Sequence, residues 1–584
     1  MNDVVMIRRR FLTYFAGTSA GATLLPGVLW AQVQASGSSQ VTREMLKGAL
    51  TVAGLDLSEE DQKIIMDGVN DNLTRYDTLR KIEIPNDVPP ALHFNALVPG
   101  VQVNRTSAPL RFSQSRVKRP QILEDVAYWT VLDLAHLIRS RQVSSVELTQ
   151  MYIARLKDQG RAEKLNCLVT LLEDHGLTEA RRADAEIKAG KYRGLLHGIP
   201  WGVKDLFTLK GHPTTWGCEL YKNQVFDYDA TLIERLREAG AVLIAKLSTT
   251  ELAAGGAIWY RGTTKNPWNL KEDSSGSSGG PAAAATAGLV GFGIGTETSG
   301  SIIGPSSRCG TTGLRPTFGR SSRHGGMVLS WSQDRVGPFC RSVEDCAMVM
   351  STIAGPDGRD LSVVDVPFNW DNRRDARKLR IGYIKQAFDE AKDPAARQRN
   401  DLLLQQVRGL GVDPVEVKVP DFTSDVSAID PESATFFDGL IRAGKSKDLA
   451  VEARRNRLRQ ARVVPAVEYL RSQRIRTMMM MELAKATEHV DVWFAPPNPG
   501  NTGGGGGGGG GAGGGGAPSA SGRHSTMANL ATYPALAMPF GLNEAGSPMA
   551  IVFFARPFGE TELLTLGKAF QDATGYHLKH PPMA

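Results

Sequence analysis

The sequence predicts an α/β protein in which helices cover both faces of a β-sheet. Two short apolar runs, Ile199–Val203 and Ala241–Ala245, are typical of buried strands. The segment between them, Tyr228–Ala239, has a helical pattern. The order strand, helix, strand is typical of a sheet with helices packed on it. A pair of amphipathic helices from Thr130 onward supports the same class, and Ser144 or Ser145 is expected to cap the second of them.

Residues 32–127 are predicted to be a helical extension followed by a connector. The stretch Val41–Ile84 is amphipathic, and the charged run Ser58–Asp61 marks the start of a second helix within it. Residues 91–127 have no clear periodicity and are expected to be irregular. We assign no chemistry to this part of the chain.

Residues 1–31 have the pattern of a twin-arginine signal peptide. Arg8, Arg9 and Arg10 precede a short apolar stretch, Phe15–Trp30, and Ala31 is a suitable cleavage point. The alternative is an N-terminal membrane anchor, although the apolar run is short and rich in small residues. A cleaved signal predicts a periplasmic or secreted protein. No later stretch has the length of apolar residues that a membrane span needs, so no stable span is expected after signal removal.

Charge and cysteine content argue against nucleic-acid binding and against a metal site. The 584-residue chain has a formal net charge of +7, and its basic residues are dispersed, so nucleic-acid binding is not indicated. The five cysteines do not have metal-ligand spacing, and no metal or cofactor is expected. Cys340 and Cys346 could form a disulfide, but buried thiols are the preferred interpretation. The sequence is compatible with a homodimer and leaves the oligomeric state open.

The stretch Ser274–Gly313 is poor in charge and rich in Ser, Gly and Ala. Its two small-residue loops, Ser274–Gly280 and Thr296–Gly304, flank a predicted helix at Ala282–Ala287 and a predicted strand at Leu289–Ile294. Such loops let backbone N–H groups approach a ligand closely, although a Gly/Ser loop by itself can also be a flexible connector.

A lysine lies in a second apolar stretch, GIPWGVKDLF. Burial of Lys204 in this strand-like run would lower its pKa and make it a usable base. Amide hydrolysis needs a nucleophile, a base and donors for the oxyanion. None of the ten histidines lies in a recognisable nucleophile motif, so a Ser-His-Asp triad has no support, and Ser and Lys remain.

Four segments together resemble the amidase signature family of serine hydrolases: GIPWGVKD, SGSSGGPAAA, GTETSGSIIGP and CGTTGLRPTFGR. The resemblance extends from about Tyr128 to Leu578. It implies a mixed sheet sandwiched between helices, and a catalytic domain over residues 128–584 that contains a flexible Gly-rich loop at 502–517.

The resemblance also implies the roles of individual residues. Ser301 corresponds to the nucleophile, Ser277 to the bridging serine and Lys204 to the base, with a cis peptide between Gly276 and Ser277. The loop residues implied in oxyanion or substrate binding, besides the backbone of Ser301 itself, are Thr298, Ser299, Gly300 and Ser278. Asp334 and Arg341 are expected to brace the loops.

Three positions depart from the family pattern. Glu297 stands where the family usually has Asp, Ile303 where an Arg usually follows, and Ser299 where the oxyanion loop has Gly. Ser299 would be strained if its backbone required a positive φ. No catalytic group is removed by these changes.

The sequence therefore predicts an exported serine amidase that acts on a small-molecule or peptide-like amide, with esters and carbamates as related options. One alternative is a catalytically silent relative that serves as a binding protein. The other is a transamidating subunit that acts on charged tRNA, against which the export signal and the absence of a basic stripe argue.

Overall fold

The computed structural model describes residues 41–82, 108–423, 429–496 and 519–582. The segments 1–31 and 502–517, interpreted above as a signal and a Gly-rich loop, lie outside these residues. The described chain forms two compact units, one made of residues 41–82 and 429–478 and the other of residues 108–423, 479–496 and 519–582.

The larger unit is built on an 11-stranded sheet within the described residues. In chain order the strands of this unit are β1 Leu168–Leu171, β2 Pro200–Lys204, β3 Val242–Leu247, β4 Ile258–Trp259, β5 Gly262–Thr263, β6 Lys265–Asn266, β7 Asn269–Asp273, β8 Phe292–Glu297, β9 Thr312–Arg315, β10 Arg335–Cys340, β11 Ile381–Tyr383, β12 Val415–Glu416, β13 Val492–Ala495, β14 Ala535–Leu542 and β15 Pro548–Ala555.

The large sheet is mixed. Its strand order is β1-β3-β2-β8-β10-β9-β14-β15-β13-β11-β12, and the pairs β4-β5 and β6-β7 lie apart from it. Strand β2 is parallel to both β3 and β8, and β11 is parallel to both β12 and β13, whereas the other pairs are antiparallel. Every residue of β2 and β3 is buried, as expected of central parallel strands.

Helices flank this sheet, which confirms the predicted fold class. The helices of the described chain are α1 Arg43–Val52, α2 Glu59–Arg80, α3 Val131–Arg139, α4 Ser145–Lys157, α5 Glu173–Lys188, α6 Thr231–Glu238, α7 Gly279–Thr286, α8 Ile303–Cys309, α9 Val343–Ile353, α10 Lys385–Asp389, α11 Pro394–Arg408, α12 Ile429–Phe436, α13 Asp438–Arg442, α14 Glu452–Ala461, α15 Ala466–Ala486, α16 Ala520–Leu530 and α17 Glu560–Thr574.

The structure confirms the two helix starts that were predicted from cap residues. Ser144 caps α4, and its side chain and that of Glu147 form a reciprocal capping box. Ser58 caps α2 by accepting a hydrogen bond from the backbone N–H of Asp61. In the smaller unit, α1 and α2 bury Leu46, Leu50 and Ile65 in a common apolar cluster.

The predicted strand at Leu289–Ile294 begins later than the sequence suggests. Strand β8 covers Phe292–Glu297, because α7 is followed by a turn in which Gly288 adopts a φ of 65°. Leu289 and Val290 are buried in that turn. Apolarity alone did not distinguish a buried turn from a buried strand.

The five cysteines are buried and remain free thiols, as the preferred interpretation expects. None of the described helices combines the length and the apolarity that a membrane span requires.

Candidate active site

The site begins at the carboxyl end of β2, where Lys204 is the last residue of a fully buried strand. Its Nζ donates hydrogen bonds to Ser277 Oγ at 2.8 Å and to Thr296 Oγ1 at 2.9 Å. Thr296 was not identified from the sequence. The parallel register that pairs Val203 of β2 with Ile294 of β8 brings it next to Lys204, and only its position in the GTETSGS segment could have drawn attention to it.

Burial lowers the pKa of Lys204 to about 7. Asp334 and Glu297 oppose this shift through their negative charges, but both carboxylates have other partners. Asp334 accepts hydrogen bonds from Thr298 Oγ1 at 2.6 Å and from the backbone N–H of Leu329 at 2.7 Å. Within the described residues, Lys204 forms no ion pair. The structure thus provides an amine that is present in both its neutral and its charged form near pH 7, and that becomes mainly neutral above it.

The neighbouring carboxylate, Asp205, is occupied by a different lysine. Lys246 Nζ lies 2.7 Å from Asp205 Oδ1, and both side chains are fully buried. In the parallel pair of β2 and β3, Lys246 is opposite Val203 and Lys204 is opposite Leu247. Because successive residues of a strand face opposite sides, the two lysines point to opposite faces of the sheet. Asp205 is therefore directed away from Lys204.

Ser277 lies in a tightly packed loop and is buried. The Gly276–Ser277 peptide bond is cis, as the resemblance implies. A Cβ on Gly276 would lie 1.7 Å from the carbonyl oxygen of Gly256, so no side chain fits there. The carbonyl of Ser277 accepts a hydrogen bond of 3.1 Å from the backbone N–H of Thr250, which fixes the loop.

Ser301 lies between β8 and α8, in the second small-residue loop. Its carbonyl accepts a hydrogen bond of 3.3 Å from the backbone N–H of Ser278, so the two serine loops are joined through their backbones. The Ser278 hydroxyl donates to the Thr296 carbonyl at 2.9 Å. Within the described residues, the hydroxyl of Ser301 forms no hydrogen bond with Ser277. The structure joins Lys204 to Ser277 directly and Ser301 to them through the backbone.

The departures in this loop are accommodated without strain at Ser299. Gly300 adopts the left-handed φ of 88°, and Ser299 does not. Glu297 is fully buried and accepts hydrogen bonds from the backbone N–H groups of Ile302 and Ile303 at 2.7 and 2.9 Å. Although burial alone would raise the pKa of Glu297, the guanidinium of Arg315 and that of Arg335 hold it below its ordinary value.

Asp334 braces the nucleophile loop through Thr298, as expected. Arg341 serves another part of the fold, because its Nη2 donates to the carbonyl of Ala127 at 2.8 Å. Neither side chain is hydrogen-bonded to Lys204 or to the two serines.

The fold and this site together define an enzyme class. A family model described as Amidase matches residues 147–564, and the chain belongs to that family. Members of the family cleave carbon–nitrogen amide bonds.

The chain also matches relatives over almost their whole length, and these relatives share one name. The chain is 32% identical over 479 residues to a glutamyl-tRNA(Gln) amidotransferase subunit from Geobacter metallireducens, covering 77% of this chain and 98% of the relative. It is 34% identical over 484 residues to the protein of the same name in Methylococcus capsulatus, with the same coverage.

Among solved structures, the native peptide amidase from Stenotrophomonas maltophilia is similar in fold and sequence. It aligns with a TM-score of 0.66 and 27% identity, covering 77% of this chain and 98% of the peptide amidase.

Proposed function

We propose that this protein hydrolyses a small or peptide-like amide through Lys204, Ser277 and Ser301 and an acyl-enzyme intermediate. The observation that carries the proposal is the hydrogen bond of 2.8 Å between a buried lysine without a carboxylate partner, in the described part of the chain, and the hydroxyl of Ser277. The 27% identity to a peptide amidase supports the proposed type of substrate.

In the proposed cycle, neutral Lys204 accepts the proton of Ser277 while Ser277 accepts the proton of Ser301. Ser301 Oγ then forms a bond to the amide carbon, and the backbone N–H groups of residues 298–301 donate to the resulting oxyanion. When the carbon–nitrogen bond breaks, Ser277 gives a proton to the leaving amine and takes one back from Lys204, which becomes neutral again. Water cleaves the ester by the same relay, which releases a carboxylic acid and restores Ser301. The first transfer requires a hydrogen bond from Ser301 Oγ to Ser277 Oγ.

A second candidate is an amidotransferase subunit, which the identity of 32–34% to proteins of that name favours. Such a protein would use the same three residues to release ammonia from an amide donor. The first proposal differs from it in requiring turnover of small amides by the isolated chain, with water as the acceptor.

Labelling with a fluorophosphonate tests the nucleophile. We expect one adduct by intact mass, located on Ser301 by peptide mapping, and no adduct in Ser301→Ala. Ser307→Ala is the matched control, since Ser307 is a neighbouring buried serine on α8 and should leave labelling unchanged. Absence of an adduct on folded wild-type protein would contradict the proposed nucleophile and favour the silent relative.

Hydrolysis assays then separate the two enzymatic candidates. Purified protein is offered peptide amides, anilides and free glutamine, and the released amine or ammonia is measured. Turnover of peptide amides or anilides by the isolated chain supports the first candidate. Turnover confined to glutamine, or activity that appears only with a co-purified partner chain, supports the second.

We also propose that residues 1–31 direct the protein through twin-arginine export. The RRRFL segment and the apolar stretch after it support this proposal. Replacing Arg8, Arg9 and Arg10 by Lys should retain the protein in the cytoplasm of an expressing bacterium, and mass analysis of exported protein should give Gln32 as its first residue. Export that persists in the triple-Lys variant would contradict it. Light scattering of the purified chain tests whether it forms the homodimer with which the sequence is compatible.

A further inference from the structure

Glu297 connects the nucleophile loop to β9 and, through Arg315, to the C-terminal part of the larger unit. Its Oε2 accepts both backbone N–H groups that follow Ser301, those of Ile302 and Ile303. Its Oε1 accepts a hydrogen bond of 2.7 Å from Arg315 Nη1 on β9. One carboxylate therefore holds the start of α8 and is itself held by Arg315 of β9.

Arg315 is in turn fixed by the C-terminal part of the chain. The same Nη1 donates to Asn529 Oδ1 at 2.7 Å, and its Nε and Nη2 donate to the carbonyl of Tyr533 at 3.1 and 2.9 Å. Asn529 Oδ1 also accepts from Arg335 Nη2, which donates to the carbonyl of Thr298 at 2.6 Å. Hydrogen bonds thus reach the nucleophile loop on both sides of Ser301.

We propose that Glu297 is a positioning residue that sets the direction of the Ser301 loop, with Arg315 and Asn529 as its supports. The proposal rests on the proposed role of Ser301 as nucleophile. It also accounts for two of the departures from the family pattern, Ile303 in place of Arg and Glu297 in place of Asp. Arg315 on β9 supplies the positive charge that Ile303 lacks. The Glu297 side chain, which is longer than that of Asp, reaches Arg315 and two backbone N–H groups at once.

The charge of Glu297 adds a second effect, on Lys204. The negatively charged groups that act on Lys204 are Asp334 and Glu297, and both favour its protonated form. Removing the charge at Glu297, while Arg315 and Arg335 stay positive, would therefore lower the pKa of Lys204 further. The acid limb of the pH–rate profile would move to lower pH.

Two substitutions separate position from charge. Glu297→Asp keeps the charge but is one methylene shorter, so it cannot hold Arg315 and both N–H groups. We expect a loss of about 10-fold to 100-fold in kcat with the acid limb unchanged. Glu297→Gln keeps the length but leaves one partner unsatisfied, so we expect a similar loss and, in addition, an acid limb shifted to lower pH.

Glu560 provides the matched control. It is also fully buried, pairs with Arg320 Nη2 at 2.6 Å and accepts the backbone N–H of Thr317 at 2.7 Å, but it does not act on Lys204. Glu560→Gln and Glu560→Asp should lower thermal stability and leave the acid limb, and the rate of Ser301 labelling in folded protein, near wild-type values.

Hydrogen–deuterium exchange of a peptide covering residues 298–305 gives a readout that does not depend on activity. We expect faster exchange in both Glu297 variants than in wild-type protein or the Glu560 variants. The inference would be overturned if the Glu297 variants kept the wild-type rate of Ser301 labelling, the wild-type rate of hydrogen–deuterium exchange and the wild-type acid limb of the pH–rate profile. Faster exchange in the Glu297 variants, combined with no labelling of wild-type Ser301, would instead retain the positioning role and reject the proposed function.

Discussion

Two buried lysines on adjacent strands of this protein have different environments. Lys246 lies 2.7 Å from a carboxylate, whereas Lys204 has two hydroxyl partners. Burial disfavours the charged form of an amine unless an opposite charge compensates for it. Lys204 is therefore suited to accept a proton near neutral pH, and Lys246 is suited to a structural role.

The pH dependence of Lys204 is the first prediction at this scale. A neutral base requires a deprotonated amine, so kcat/KM should rise with pH and level off above the pKa of about 7. Lys204→Ala should lower kcat by about 10²–10⁴-fold, with partial recovery at high pH as hydroxide replaces the base.

The control is Lys210→Ala, which removes an exposed lysine six residues further along the chain. Its profile should match that of the wild type. A wild-type profile that stays flat from pH 5 to pH 9 would contradict a titrating Lys204.

The loop that carries Ser277 depends on the absence of a side chain at Gly276. A Cβ there would overlap the carbonyl oxygen of Gly256, which is backbone and cannot rotate away. We expect Gly276→Ala to destabilise the protein by about 1–3 kcal/mol and to abolish labelling of Ser301, measured by thermal unfolding and intact mass.

Gly439→Ala is the comparison for that substitution, since Gly439 lies in helix α13 with no heavy atom within 4 Å of the added Cβ. It should be neutral or slightly stabilising, because Ala favours a helix over Gly. Equal effects of the two substitutions would show that the steric argument is wrong.

The start of α4 gives a prediction about helix capping. Ser144 accepts a hydrogen bond from the backbone N–H of Glu147, and Glu147 Oε2 accepts the N–H of Ser144 at 2.8 Å. Ser144→Ala should cost about 1 kcal/mol in a denaturant titration. Glu147→Gln should cost less, because Gln can also complete a capping box and the lost pair with Arg119 is solvent-exposed. A larger loss for Glu147→Gln than for Ser144→Ala would contradict this account.

Across the whole molecule, acid should destabilise the fold through a buried histidine. Burial lowers the pKa of His524 from 6.5 to about 3, and its Nε2 accepts a hydrogen bond of 2.8 Å from Trp493 Nε1. The unfolded chain binds the proton more readily than the folded chain does. The contribution of His524 to the free energy of unfolding is therefore complete above pH 6.5 and is lost as the pH falls toward 3. The total effect is on the order of a few kcal/mol.

His524→Gln removes this titration and leaves an acceptor for Trp493. We expect the loss of stability between pH 6.5 and pH 4 to be smaller in this variant than in wild type, measured by urea unfolding at each pH. His489→Gln, at an exposed histidine, should not change how steeply the free energy of unfolding falls with decreasing pH. An unchanged slope in His524→Gln would assign the acid sensitivity to other groups.

The limits of the sequence are clear at particular residues. Cap residues and apolar periodicity predicted α2, α4 and the central strands, because these depend on local patterns of a few residues. Thr296 was missed, since its contact with Lys204 depends on the register of two strands about 90 positions apart. The roles of Arg315 and Asn529 were missed for the same reason, since they lie 18 and 232 positions from Glu297.

The sequence by itself determined the fold class, the family and the identity of Lys204, Ser277 and Ser301 as the candidate catalytic set. The fold class follows from local apolar patterns, whereas the family and the catalytic set follow from four short motifs that resemble those of the amidase signature family. Only the tertiary structure decided which lysine lacks a carboxylate, which glycine of the nucleophile loop takes the left-handed backbone and which cation pairs with Glu297. Those depend on burial and on contacts between distant segments, because the pKa of a group and the partner of a charge are set by what surrounds them in space.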